Sequence, residues 1–231
     1  LQSGPLDLSA SGTFDRTGAG NDLTVALRTD AANPVPLAFG NEGARTALEI
    51  SSIDATLRGS LSVATLDVAA SARTAGFEDY VANAVTLKAT SPGFDLNNLI
   101  GQVVVDLGAQ SASVPDGIAA RVLEGPIAVN VDGALTADGY TFNTAKLTTG
   151  AANLALSGNA ASDFSTFQLR VDSDIETAAL SSDAVPYVGP RVAIAGFARR
   201  AADGSLGVDN LRVDGDALDL SGSVNLTGEE I

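Results

Sequence analysis

Carboxylates are the only chemically versatile side chains this sequence holds in quantity: 28 Asp and Glu stand against 13 Lys and Arg, with no His, Cys, Met or Trp. Without His or Cys, the common nucleophile–base triads and dyads and thiolate zinc sites cannot be assembled. Ser–Lys chemistry would have to recruit Lys88 or Lys146, and neither lies in a motif of that class. The densest acidic run, Asp203-Gly-Ser-Leu-Gly-Val-Asp209-Asn-Leu-Arg-Val-Asp214-Gly-Asp216, lacks both the glycine-aspartate period of calcium-binding β-rolls and the order of an EF-hand loop. It reads instead as hairpin turns and a solvated face. No glycine run follows a strand and opens a helix, so no phosphate loop is expected. The expectation is a non-enzyme without metal or cofactor.

A net charge of −15 disfavours attraction to nucleic-acid phosphates and to anionic headgroups, and no nucleic-acid partner is expected. Apolar residues make up 45% of the 231 residues but aromatics only 5%, so buried positions must be filled by Ala, Val, Leu and Ile. No run approaches the roughly 20 apolar residues of a membrane-spanning helix. The start at Leu1 has no signal-peptide pattern and falls inside a strand pattern, which reads as a segment of something longer.

What must position these residues is a set of strands. Strict alternation puts successive side chains on opposite faces, and it recurs along the chain. Ile53, Ala55, Leu57, Gly59, Leu61 and Val63 alternate with Asp54, Thr56, Arg58, Ser60 and Ser62, and the same pattern fills Leu218 to Leu226. It also marks Leu23/Val25/Leu27, Leu66/Val68/Ala70, Val85/Leu87/Ala89, Val103/Val105/Leu107, Ile127/Val129/Val131, Leu154/Leu156 and Phe167/Leu169/Val171. Turns are expected at Asp138-Gly139, Asp203-Gly204, Asp214-Gly215 and Ser91-Pro92-Gly93, giving consecutive antiparallel hairpins with on the order of 16 strands. Proline-bearing breaks at 29–41 and 181–190, and a further break at 110–117, read as loops or crossovers. Only 77–84 could form a short helix. Gly59, Gly158, Gly196 and Gly222 fall on the apolar phase and suggest bends or close approaches.

Residues 125–162 and 189–226 align without gaps at an offset of 64 with nine identities in 38 positions, where composition alone gives about three. The chain is therefore read as one β-repeat segment, 1–231, of a larger array.

The phrases Gly139-Tyr-Thr-Phe-Asn-Thr-Ala-Lys-Leu-Thr-Thr-Gly-Ala-Ala-Asn-Leu-Ala-Leu-Ser-Gly and Gly204-Ser-Leu-Gly-Val-Asp-Asn-Leu-Arg-Val-Asp-Gly-Asp-Ala-Leu-Asp-Leu-Ser-Gly resemble the strand-turn-strand repeats of the TamB branch of the AsmA-like family. That resemblance implies an elongated, curled antiparallel sheet, an open trough with an apolar concave face, in the periplasm. The parent protein would be anchored in the inner membrane by a helix outside this chain. It implies phospholipid acyl chains as cargo, nascent outer-membrane proteins as further clients, and TamA, a BamA-like barrel, as partner of the parent. The candidate groove residues are Leu57, Leu61, Val63, Val129, Val131, Leu154, Leu156, Phe167, Leu169, Leu218, Leu220, Val224 and Leu226. Asp54, Thr56, Arg58, Arg170, Asp172, Asp219, Ser221 and Asn225 are expected on the opposite, wetted face. The competing reading is a structural or adhesive β-sandwich whose greasy face is a closed core, and a third is a chaperone pairing client strands at a free edge.

Overall fold

The computed structural model describes residues 2–3, 6–15, 20–29, 35–39, 46–77, 79–115 and 117–226. Its strands are β1 (Gln2–Ser3), β2 (Leu6–Thr13), β3 (Asn21–Thr29), β4 (Val35–Phe39), β5 (Thr46–Ser60), β6 (Val63–Phe77), β7 (Tyr80–Phe94), β8 (Gly101–Ser113), β9 (Gly125–Thr136), β10 (Gly139–Thr148), β11 (Ala152–Ala161), β12 (Phe167–Glu176), β13 (Arg191–Arg200), β14 (Leu206–Asp214) and β15 (Asp219–Leu226). All belong to one 15-stranded sheet in which each strand pairs antiparallel with its sequence neighbours, except that β3 pairs β5 and β4 lies beside them on β5. The two ends of the path do not pair with each other, so the sheet is open. The consecutive order follows from the short connections, because hairpins leave no room for anything but the adjacent antiparallel partner.

A closed sandwich core is not what these residues build, since every described strand lies in the one sheet. No large side chain among the described residues is fully buried, and the buried apolar residues are alanines apart from Phe94 and Val192. The chain exposes 13876 Å², well above the roughly 9,700 Å² of a compact protein of this mass.

Several expected punctuation marks fall elsewhere. The alternation from Ile53 to Val63 is not one strand: Leu61 and Ser62 form the turn between β5 and β6. Ser91-Pro92-Gly93 is no turn but part of β7, where the ladder with β6 steps from Leu66↔Ser91 to Ala64↔Phe94 and leaves Pro92 unpaired. A proline is tolerated there because no ladder donor is required of it. Pro36 lies in β4, which among the described residues has β5 on one side only, the place where a sheet accepts proline.

The possible helix at 77–84 is not formed: Phe77 ends β6 and pairs with Tyr80, residues 80–84 belong to β7, and residue 78 lies outside the described residues. The helices lie instead at α1 (Ile118–Leu123), α2 (Thr177–Leu180) and α3 (Val185–Val188), with a 3₁₀ turn at Ser182–Ala184 between the last two. Each is too short to show a helical period in sequence. They gather at one end of the sheet, where Arg121 of α1 donates Nε–H to the Ala179 carbonyl (2.8 Å) and Nη2–H to the Leu180 carbonyl (2.9 Å). The Thr149 hydroxyl, in the β10–β11 turn, donates to the Val122 carbonyl at 2.7 Å and joins that turn to α1. Among the described residues, no helix is long and apolar enough to cross a membrane.

Candidate functional site

Directly opposed residues in neighbouring strands point to the same face, so the register shows which side chains the fold gathers. One row runs Leu8–Leu27–Ile53–Ala70–Leu87–Leu107–Val129–Leu147–Leu154–Ser173–Ile194–Val213–Leu220 through thirteen strands. Ser173 alone in it is polar, and its hydroxyl is turned to the Ile194 carbonyl (3.2 Å). Beside it runs a second row of smaller residues, Ala10–Val25–Ala55–Val68–Ala89–Val105–Val131–Ala145–Leu156–Val171–Gly196. At about 4.8 Å per strand, the first row spans roughly 60 Å.

Of the sequence-predicted groove residues, Leu57, Val129, Val131, Leu154, Leu156, Phe167, Leu169, Leu220, Val224 and Leu226 share this face. Leu218 lies just before β15, its backbone bonded to Gly215. Two do not join them. Leu61 is in a turn, and Val63 pairs with Ser60 on the opposite face, 63% exposed, because the turn interrupts the alternation that carried the phase forward. Leu147, Ile194 and Val213 were missed: alanines beside Ile194 blur its alternation, and a bulge between Phe142 and Ala145 shifts the phase ahead of Leu147.

Near the opposite end of these strands from the helices, Phe142 stands between two glycines, Gly133 on β9 and Gly158 on β11. Both must be glycine. A Cβ on Gly133 would lie 2.3 Å from the Thr141 carbonyl oxygen, and one on Gly158, at φ +136°, would lie 2.1 Å from that of Gln168. Tyr140 stacks on Phe142 (6.3 Å between ring centres) and on Phe164 (5.5 Å). Phe164 holds φ +56° in its turn, a left-handed conformation that is costly for a bulky residue.

The other face is a ladder of ions. Arg28 pairs with Asp54 (2.5 Å), Arg58 with Asp22 (3.6 Å), Arg170 with Asp172 (2.7 Å), Arg199 with Asp209 (2.8 Å) and Arg212 with Asp214 (2.8 Å), while Arg191 bridges Asp174 and Glu176. Asp54, Thr56, Arg58, Arg170, Asp172, Asp219, Ser221 and Asn225 all lie on it. The Arg170 guanidinium holds the Asp172 carboxyl below its ordinary range. In the turns, Asp163 and Asp203 are lowered first by the Ser165 and Ser205 side chains, and Asp95 by that of Asn98. Among the described residues, no group of three or more acidic side chains is placed to hold a metal ion.

Two apolar hollows interrupt the leucine–valine face. One of about 320 Å³, between the β6–β8 ends and α1, is lined by Ala75, Val81, Ala112, Leu123 and Ile127 among others, and one of about 230 Å³ lies under Leu206, Val208, Val224 and Leu226. A larger depression of about 560 Å³ on the ionic face is walled by Lys146, Asp172, Asp174 and Asp214 around Ala155, Ala193 and Ala195. No family model, curated protein or solved structure matches this chain.

Proposed function

We propose that this chain is a stretch of a TamB-like periplasmic protein, part of an inner-membrane-anchored parent, that carries phospholipid toward the outer membrane along a hydrophobic β-groove. In this reading the leucine–valine face is the concave lining of a trough, and the ionic face is its outer wall. The parent would also support insertion of outer-membrane proteins with its barrel partner, TamA.

The observation that carries the reading is the row from Leu8 to Leu220, apolar but for Ser173, which no second sheet covers among the described residues. A face of this kind needs an apolar occupant or a curl that shields it. Burial differs between the two faces: along β8 and β9, Val103, Val105, Leu107, Ile127, Val129 and Val131 are half-buried while Gln102, Val104, Asp106, Ala128, Asn130 and Asp132 are exposed. Each methylene moved from water onto such a face gains about 0.8 kcal/mol. A chain arriving from a bilayer meets a surface of similar polarity, so it can be held without being trapped. Repetition of the same lining from strand to strand gives uniform grip along the path.

The test places a photo-crosslinking residue at Leu107 or Leu147 on one face, and at Asp106 or Lys146 on the other, in the full chain expressed in the periplasm. Lipid adducts should form from the first pair only. Adducts from neither pair, or equally from both, would refute the reading.

A further inference from the structure

We propose that the ionic face carries an oligosaccharide-binding site: a depression across β11 to β14 in which a pyranose ring lies on Phe197 and its hydroxyls bond to Arg170, Arg199, Gln168 and Asn159. The site is on the face opposite the leucine–valine lining and does not depend on what that lining holds.

The register gathers the residues. Ser157↔Arg170↔Phe197↔Asp209 form one row across four strands, and Asn159↔Gln168↔Arg199↔Gly207 form the next. Directly opposed side chains stand about 5 Å apart, so the two rows make one patch. The patch is concave: all of these residues but Gly207 line a depression of about 520 Å³, and a second of about 340 Å³ shares Asn159 and Gln168 with it. Together they reach from Ser157 to Ala161 along β11, roughly 13 Å, which suits an elongated ligand.

Both guanidiniums are held in place with donors to spare. Arg170 grips Asp172 through Nε–H (2.7 Å) and Nη2–H (3.2 Å). Arg199 donates Nε–H to Asp209 (2.8 Å) and Nη2–H to Asn225 (2.7 Å). It lies against the backbone of Gly207, where a Cβ would stand 3.0 Å from its Cζ. Each guanidinium therefore keeps Nη1 for a ligand. Ser157, Asn159 and Gln168 spend no side-chain hydrogen bond on a described residue, and Phe197 stands 47% exposed beside them.

Charge and pairing decide the class of ligand. Each arginine is matched by an aspartate, so the patch has no net charge to draw a phosphate or a carboxylate. The strands β11 to β14 are paired on both sides, which leaves no backbone for an added peptide strand. Against an acyl chain the amides and the Ser157 hydroxyl would lose water and gain no partner. A pyranose meets every demand: its C–H face covers an aromatic ring, and its vicinal hydroxyls both donate and accept, matching carboxamides and the free edge of a guanidinium.

The hairpins do not need this cluster in order to form. Phe142↔Gly158, Ala145↔Leu156 and Leu147↔Leu154 of β10–β11 recur as Val208↔Val224, Leu211↔Gly222 and Val213↔Leu220 of β14–β15. With Gly133↔Phe142 thus standing for Ala198↔Val208, the place of Phe197 is taken in the earlier copy by Asp132 and that of Arg199 by Ala134. The leucine–valine lining repeats, whereas the ring and the second guanidinium occur in one copy.

The experiment titrates cellotetraose, tetra-N-acetylchitotetraose and, as an anion, inorganic phosphate into the isotope-labelled 231-residue chain and follows amide resonances. Saturable shifts centred on Ser157, Asn159, Gln168, Arg170, Phe197 and Arg199 are expected with at least one tetrasaccharide and not with phosphate. Phe197→Ala should weaken binding roughly tenfold with an unchanged circular dichroism spectrum, and Phe197→Tyr should retain it. Gly207→Ala leaves every contacting side chain present but displaces the Arg199 guanidinium, so it should weaken binding several-fold. Gln168→Ala, at an exposed position, gives an independent reading of the same loss. No saturable shift with either tetrasaccharide, equal shifts with phosphate, shifts confined to the leucine–valine rows, or undiminished binding by Phe197→Ala or Gln168→Ala would each overturn the proposal.

Discussion

Replacing Leu156 with Asp separates a covered face from an open one. Leu156 sits mid-strand in β11, half-buried, between Ala145 and Val171. Fully burying a leucine stabilises by about 1.5–3 kcal/mol, so a half-buried one contributes about 1–1.5 kcal/mol. Poorer strand propensity of Asp adds up to about 1 kcal/mol. The carboxylate keeps its water on an uncovered face, so the expected loss is about 2 kcal/mol. In a closed core the same charge would lose its hydration without a partner and cost several kcal/mol more. Urea denaturation followed by far-ultraviolet circular dichroism measures the loss, and lipid crosslinking from Leu107 in the same variant measures the groove. The expected pair of results is a modest fall in midpoint and strongly reduced adducts. Unfolding under native conditions, or a loss beyond about 5 kcal/mol, would refute the open-face argument.

Gly158→Ala should destabilise by more than about 2 kcal/mol in the same denaturation assay, because the new methyl meets the Gln168 carbonyl at φ +136°; Gly222→Ala, with nothing within 4 Å, should change stability by less than about 0.5 kcal/mol. Small-angle scattering on the chain should return a radius of gyration well above the roughly 17 Å of a compact domain of this length, and a value near 17 Å would contradict a single-layer sheet. For pH, the folded Asp203 titrates below its unfolded value through its bonds to Ser205, so its contribution is complete above the unfolded value near 4 and disappears as pH falls through the folded one. The melting difference between the protein and Asp203→Asn should therefore persist from pH 7 to 5 and close below about pH 4.

The strand phase was legible because it rests on a local rule. Alternation at Val103–Leu107 or Phe167–Val171 needs only the pleat, and the register then matches apolar with apolar because a one-residue slip would turn every side chain over. What was illegible depends on non-local geometry. The turn at Leu61–Ser62 hides in an alternation that continues across it, since Ser60 and Val63 keep the spacing of one strand. Pro92 and Gly93 look like a turn until the break in pairing with β6 accounts for them. The repeat suffers similarly: Gly125-Pro126 and Gly189-Pro190 anchor an offset that preserves identities, while the sheet aligns the hairpins two residues further on. Strand-by-strand equivalence is decided by bulges, and nothing in the composition of Phe142-Asn-Thr-Ala145 announces one.

A one-layer sheet without a central core must draw its stability from neighbours within the layer. The long ladders of β5 to β8, of 15, 15, 15 and 13 residues, supply hydrogen bonds. The leucine row beside a row of alanine and valine lets each large side chain lean on smaller ones across the strand, which yields partial burial with no second layer. Stability of this kind is a sum of nearest-neighbour terms, as in solenoids, so adding or losing a strand at an edge leaves the rest intact. The opposite face solves a different problem. Its arginines are matched with aspartates while the chain retains a charge of −15, so two such faces repel when they approach. Stacking through the ionic side is disfavoured, which leaves the leucine–valine face as the side able to engage an apolar molecule.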